Sequence, residues 1–217
     1  MTEIILMADA RVAGVPVCEC GEPLVDVREF LLVDRRSQDD SDGYFYLRRG
    51  VFERLRQAEA ALPLGMRFLV VEGYRPLAVQ RRYFDDYARG LRVEHGDWTD
   101  GQVRAAASRF VSPVEIAPHS AGAAVDLTLV DDGGSKLDLG TPMNASPEES
   151  GGRCYTAASG IGDAARELRE VMGAALASAG LVNYPTEWWH WSFGDRYWAL
   201  ITGAERACYA ALELEVG

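Results

Sequence analysis

The sequence predicts an α+β fold, a mostly antiparallel central sheet with flanking helices and a metal site at the sheet. Three observations carry this reading. Helical and strand-like stretches run in the order helix, strand, helix, helix, hairpin, helix, strand, helix. The strand-like runs are short and end at Gly, Pro or Asp-rich turns. The 217 residues show no internal repeat, so a single domain over 1–217 with one sizeable core is expected.

Residues 48–62 place Val51, Leu55, Ala58 and Leu62 at three- and four-residue spacing, an amphipathic helix closed by Pro63 and Gly65. Residues 68–71 read as a buried strand that runs into Glu72, Gly73, Tyr74, Arg75 and Pro76. Pro suits the first turn of a helix, here one reaching about Gly90, so Arg75 falls at a strand-to-helix corner. Thr99 is placed as the N-cap of a helix of about three turns ending near Phe110, with Gln102 at the capping-box position. Residues 124–130 read as a strand, and the turn 131–135 leads to a second strand at 136–139, a hairpin.

Residues 140–160 are rich in Gly, Ser, Pro and Thr and read as a structureless loop able to cover a site. A helical pattern returns at 162–179 with Ala165, Leu168, Val171, Met172, Ala175 and Leu176, and Gly180 marks its end. Residues 184–193 form an aromatic strand whose Trp188, Trp189 and Trp191 are assigned to core packing, and a last helix follows Asp195.

A net charge of -11 argues against a nucleic-acid surface, which needs clustered Lys and Arg, and against anionic membranes. No apolar stretch is long enough to span a bilayer, and no basic segment precedes the short apolar run at the start, so a cytoplasmic location is expected. The four cysteines are read as free thiols. Cys18 and Cys20 form a C-x-C pair, but no second pair stands at zinc-finger spacing. Oligomeric state is not legible.

Of the three histidines, His95 sits in a polar segment assigned to a solvated loop. The other two stand in unusual company, His119 in PHSAGAAVD (118–126) and His190 in EWWH (187–190). Catalytic zinc takes three protein ligands and keeps one position for water, a requirement met by His119, Asp126 and His190. In a regular strand, Glu187 and His190 would point to opposite faces, so Glu187 must precede the strand or lie at a bulge if both serve one ion; Pro185 gives a cause for that irregularity. Glu187 is the candidate general base and Arg75 the candidate donor for a developing oxyanion. The plainer alternatives are a salt-bridged turn residue at Arg75 and a turn cap at Asp126.

Together EGYRP (72–76), HSAGAAVD (119–126) and EWWHWSFGDRYWA (187–199) resemble the VanX-type D-alanyl-D-alanine dipeptidases, zinc enzymes, over about 46–199. The resemblance implies hydrolysis of the D-Ala-D-Ala dipeptide in the cytoplasm with one zinc ion per chain. It also implies His119, Asp126 and His190 as ligands, Glu187 as base and Arg75 as the transition-state cation. Asn144, Ser120 and Tyr74 are the candidate substrate contacts. Two positions depart from the family pattern. Ala117 stands where many members have Ser, and Asn144 replaces an Asp that holds the dipeptide's amino group. They motivate an alternative, a related zinc amidase or peptidase acting on another small amide. A non-catalytic binding module is a third reading, disfavoured because a binder needs no base.

Overall fold

The computed structural model describes residues 3–35 and 42–213. A short helix α1 (Ala10–Ala13), strands β1 (Leu24–Asp26) and β2 (Leu32–Val33), a 3-10 turn and β3 (Tyr46–Arg48) lead into α2 (Arg49–Ala60). Then come β4 (Met66–Glu72), α3 (Leu77–Glu94), α4 (Asp100–Ala107) and β5 (Ala124–Asp131). The chain ends with α5 (Pro147–Ser150), α6 (Asp163–Ser178), β6 (Val182–Asn183), β7 (His190–Ser192) and α7 (Arg196–Thr202). The main sheet has the order β2-β4-β5-β7-β6, and only β2 with β4 is parallel. The expected mixed fold with a mostly antiparallel sheet is thus observed. β1 and β3 form a separate antiparallel ribbon.

Strand β5 is central, and its side chains are buried on both faces except at its last residue. Val125, Leu127 and Leu129 point into the core, where they meet Phe68 and Val70 of β4, Val51, Leu55 and Ala58 of α2, and Met172, Ala175 and Leu176 of α6. Full burial of each such Leu or Val contributes about 1.5–3 kcal/mol. Asp126 and Thr128 take the opposite face, so one strand supplies both core and site.

Several boundaries differ from the sequence expectation. The Thr99–Gln102 capping box forms, but its helix stops at Ala107, where Ser108 is the C-cap and its hydroxyl bonds Ala105 O at 2.9 Å. Helix α3 continues to Glu94; exposed Gly90 does not break it, and half-buried His95 stacks on Trp98 with ring centroids 3.8 Å apart instead of lying free in solvent. The second hairpin strand reduces to a Val130–Lys136 bridge and a Leu137 N–H to Leu129 O bond of 2.9 Å. Chain 139 then turns away, its carbonyl accepting Arg169 Nε at 2.8 Å.

The 140–160 segment is not structureless. It holds α5 under a Ser146–Glu149 capping box, and buried Arg169 bonds Tyr155 O at 2.8 Å and Arg153 O at 3.0 Å. The aromatic run forms a strand only at β7, because Tyr184, Glu187 and His190 instead make a chain of turn hydrogen bonds. Trp188, Trp189 and Trp191 are buried in the core as expected. Cys18 and Cys20 are exposed free thiols. Among the described residues no helix is long and apolar enough to cross a membrane.

Candidate metal centre

Register brings the site together. Glu72 at the end of β4 lies opposite Asp126 on β5, and Asp126 lies opposite His190 on β7, past a shift in the β4–β5 ladder between Val70 and Glu72. His119 comes from a 3-10 turn, His119–Ala121, that ends at Gly122 in the left-handed region (φ 64°), a conformation Gly adopts without cost to a Cβ. Its N–H returns to His119 O at 3.0 Å, closing the turn against the start of β5.

The three donor atoms form a compact triangle. His190 Nδ1 stands 3.0 Å from Asp126 Oδ1 and 3.1 Å from His119 Nε2, and His119 Nε2 is 3.3 Å from Asp126 Oδ1. A tetrahedral zinc with ligands at about 2.0–2.1 Å has edges of about 3.3 Å, so the set fits such an ion with only small adjustment. Tautomer agrees with geometry at His119. Its Nδ1 lies 2.6 Å from Gly73 O, and a carbonyl can only accept, so the hydrogen is on Nδ1 and the Nε2 lone pair faces the triangle. Among the described residues this is the one cluster of three potential ligands, and all three are buried.

Burial and mutual charge set the protonation of the metal-free centre. Burial opposes ionisation of Asp126, but His119 and His190 outweigh it and hold the carboxyl well below its usual range. Burial lowers His190, while at His119 the attraction of Asp126 overcomes burial and raises the imidazole. Glu187 is pushed well above the usual carboxylate range, first by burial and then by Asp126, against the pull of Arg75.

Glu187 does not sit in the regular strand. Its N–H bonds Tyr184 O at 2.9 Å in the β6–β7 connection, and one carboxylate oxygen lies 3.8 Å from His190 Nδ1. Asn183 pins this connection by donating from Nδ2 to Glu187 O at 2.9 Å and to His190 O at 3.0 Å. The parity difficulty dissolves here, because the connection turns between the two residues.

Arg75 follows β4 and forks onto Glu72, Nε to Oε1 at 2.5 Å and Nη2 to Oε2 at 2.7 Å, while Nη1 donates to Gln80 Oε1 at 2.8 Å. Burial works against its charge, yet Glu72 dominates and raises its pKa, keeping it cationic. Of five guanidinium donors, these bonds use three and leave two for a ligand.

A cavity of about 380 Å³ opens onto this group, lined by Glu72, Arg75, His119, Asp126, Glu187 and His190. Tyr83, Tyr87 and Phe110 supply an apolar wall, and Asn144, with φ of 60°, stands at the rim. Tyr74 and Ser120, expected at the substrate, do not line it. Both are fully buried behind the turn, Tyr74 Oη donating to Leu212 O at 2.9 Å and Ser120 O accepting Leu212 N–H at 3.0 Å. Their small or aromatic character in a motif says nothing of which side of the turn they face. Ala117 is buried and also absent from the lining, so its lack of a hydroxyl removes no contact from the cavity. Sequence reasoning missed Glu72, Gln80 and Asn183; Glu72 alone carried a signal, three residues before Arg75.

Residues 45–205 match the M15 peptidase family model, described as D-ala-D-ala dipeptidase. The chain is 30% identical over 218 residues to a Synechocystis protein named D-alanyl-D-alanine dipeptidase, with 86% of this chain and 87% of that protein covered. An Escherichia coli protein of the same name is 36% identical over 72 residues, 33% of this chain and 35% of that one. A vancomycin-resistance D,D-pentapeptidase VanY mutant solved with Zn(II) aligns at TM-score 0.44 and 18% identity, covering 81% of this chain and 86% of that one. On the extent of the family match and of the Synechocystis alignment, the chain belongs to the M15 family of D-Ala-D-Ala dipeptidases.

Proposed function

We propose that the chain, taken as one catalytic unit over 1–217, hydrolyses D-alanyl-D-alanine to two molecules of D-alanine. His119, Asp126 and His190 would hold one zinc ion, Glu187 would be the base and Arg75 the oxyanion donor. The observation that carries this reading is the buried triangle of donor atoms facing Glu187 and Arg75 across one cavity. The family and the shared name of the two relatives supply the substrate.

Bound zinc supplies a Lewis acid that brings a water's pKa towards neutrality and polarises a carbonyl. The residues do the rest. Glu187, lining the cavity with a carboxylate oxygen 3.8 Å from His190 Nδ1, takes the water's proton and hands it to the leaving amine. Glu72 and Gln80 fix the Arg75 guanidinium, which lines the cavity, and its two remaining N–H groups are the donors for the negative carbonyl oxygen. Asn144 at the rim offers a side-chain carbonyl to the substrate's ammonium group, a neutral contact weaker than a carboxylate's. Exposed thiols at Cys18 and Cys20 suit a reducing, cytoplasmic setting.

The test is D-alanine release from D-Ala-D-Ala after chelation and after return of one equivalent of zinc. Activity should vanish and recover, and Glu187→Ala should lower kcat by about 10²–10⁴-fold. A zinc-replete protein that ignores D-Ala-D-Ala but cleaves an N-acylated analogue would move the substrate to the amidase reading, which the neutral Asn144 favours.

A further inference from the structure

Three of the four cysteines lie where the two terminal segments of the described chain run side by side. Val17 and Ala207 form a parallel bridge, in which Ala207 N–H bonds Pro16 O at 2.9 Å and Cys18 N–H bonds Ala207 O at 2.9 Å. Two residues on, Cys20 N–H bonds Cys208 O at 3.0 Å. That bond keeps the Cα atoms of Cys20 and Cys208 within about 7 Å, the span a disulfide can bridge. The side chains meet as well. Burial first, then the neighbouring Cys20 and Glu22, push the Cys208 thiol up to about 11, and Cys20 also reaches it as a side-chain hydrogen-bond partner.

The two thiols differ in access. Cys208 is half-buried and held from behind: its N–H donates to Gly194 O at 2.8 Å, and a Cβ on Gly194 would stand 2.7 Å from its Sγ. Cys20 is exposed, so an oxidant in solution meets Cys20 first, with a second thiol already at hand. Clustered thiols can also hold a metal, but among the described residues the one cluster of three potential ligands is His119, Asp126 and His190. The junction has a structural partner in Arg48. Its Nη2 bonds Glu19 Oε2 at 3.0 Å and Ala210 O at 3.1 Å, one residue before Cys20 and two after Cys208, while Nε holds Ala121 O at 2.9 Å in the turn that carries His119.

We propose that Cys20 and Cys208 are an oxidisable pair, a modification site at which hydrogen peroxide forms a disulfide that fastens the C-terminal segment to the segment around Cys20 behind the His119 turn. Cys20 loses its proton and its sulfur attacks one peroxide oxygen. The O–O bond breaks, leaving a sulfenic acid and, with that proton, one water. The sulfur of Cys208 then displaces the hydroxyl from Cys20, and its own proton leaves with that hydroxyl as a second water. Two thiols are oxidised by two electrons and one peroxide is reduced by them. The link closes a loop that takes in most of the chain, where constraint of the unfolded state is greatest.

The experiment treats the reduced full chain with hydrogen peroxide, then reads the link by peptide mapping without reductant and the thermal midpoint before and after. A Cys20–Cys208 link should form, the midpoint should rise by about 4–16 °C, and added dithiol should reverse both. Cys18→Ser should respond as wild type does. Cys20→Ser, a change at an exposed position, should match reduced wild type before treatment and show neither link nor rise after it. Mapping that finds Cys18 in the link, a link between two chains, or over-oxidised Cys20 beside a free Cys208 overturns the pair. The right link with an unchanged or lower midpoint overturns the fastening.

Discussion

Glu187 shows how one buried side chain ties chemistry to stability. In the metal-free protein its carboxyl titrates well above the usual range, chiefly through burial. Between the unfolded value near 4.5 and that raised value, the folded state keeps a proton the unfolded state has lost. Stability from this group therefore falls as pH rises, by up to about 1.4 kcal/mol per pH unit. Glu187→Gln removes the titration at nearly constant shape. Urea unfolding of chelated protein between pH 5 and pH 8 should show the variant gaining on wild type as pH rises; parallel curves would mean Glu187 is solvated in solution. At this scale the cluster of candidate donors His119, Asp126 and His190 was legible, because two of only three histidines stand in short motifs with an acid at strand distance. Tyr74 and Ser120 were not, since facing is decided by the turn at 119–122 and not by residue type. Asn183 gave no signal because its contribution is to hold two carbonyls.

Among the elements, the turn from His119 to Gly122 positions the candidate ligand His119 and also abuts the β1–β3 ribbon. A Cβ on Gly122 would stand 2.4 Å from Leu24 Cδ2 and 3.4 Å from Arg48 Cγ, at a φ of +64°. Gly122→Ala should cost about 1–2 kcal/mol for the left-handed backbone and about 1–3 kcal/mol more for overpacking, and should weaken zinc binding by shifting His119. Gly134→Ala is the control: φ is +78° but the space is open, so only the backbone cost applies and zinc affinity stays put. Urea midpoints and zinc titrations of the pair check this, and equal losses in both would refute the packing argument. Helices with strong apolar spacing were read correctly because periodicity is local. The 136–139 strand and the length of β7 were misread because neither outcome is set by local pattern: the first depends on how far pairing with β5 extends past the Val130–Lys136 bridge, the second on the turn hydrogen bonds linking Tyr184, Glu187 and His190.

At the scale of the molecule, the two ends of the described chain meet at Arg48, and no local pattern announces it. This buried arginine donates Nε to Ala121 O at 2.9 Å, Nη1 to Glu22 O at 2.5 Å and Nη2 to Ala210 O at 3.1 Å, and pairs with Glu19 at 3.0 Å. Tyr209 lies under the guanidinium at 5.2 Å. One side chain thus ties the segments near 19–22 and 209–210 to the turn that carries His119, and Tyr74 and Ser120 extend the same docking to Leu212. Arg48→Met keeps the apolar stem but leaves three carbonyls without this donor and Glu19 without its cation. The expected loss is about 3–5 kcal/mol, since removing one partner of a buried polar network strands the others. Urea unfolding measures that loss, and limited proteolysis should find cleavage near 207–212 well before global unfolding. Because Ala121 belongs to the ligand turn, zinc affinity should fall with it. A loss below about 1 kcal/mol with the C-terminal segment still protected would mean the apolar contacts of Tyr209 dock the ends, and Arg48 only follows them.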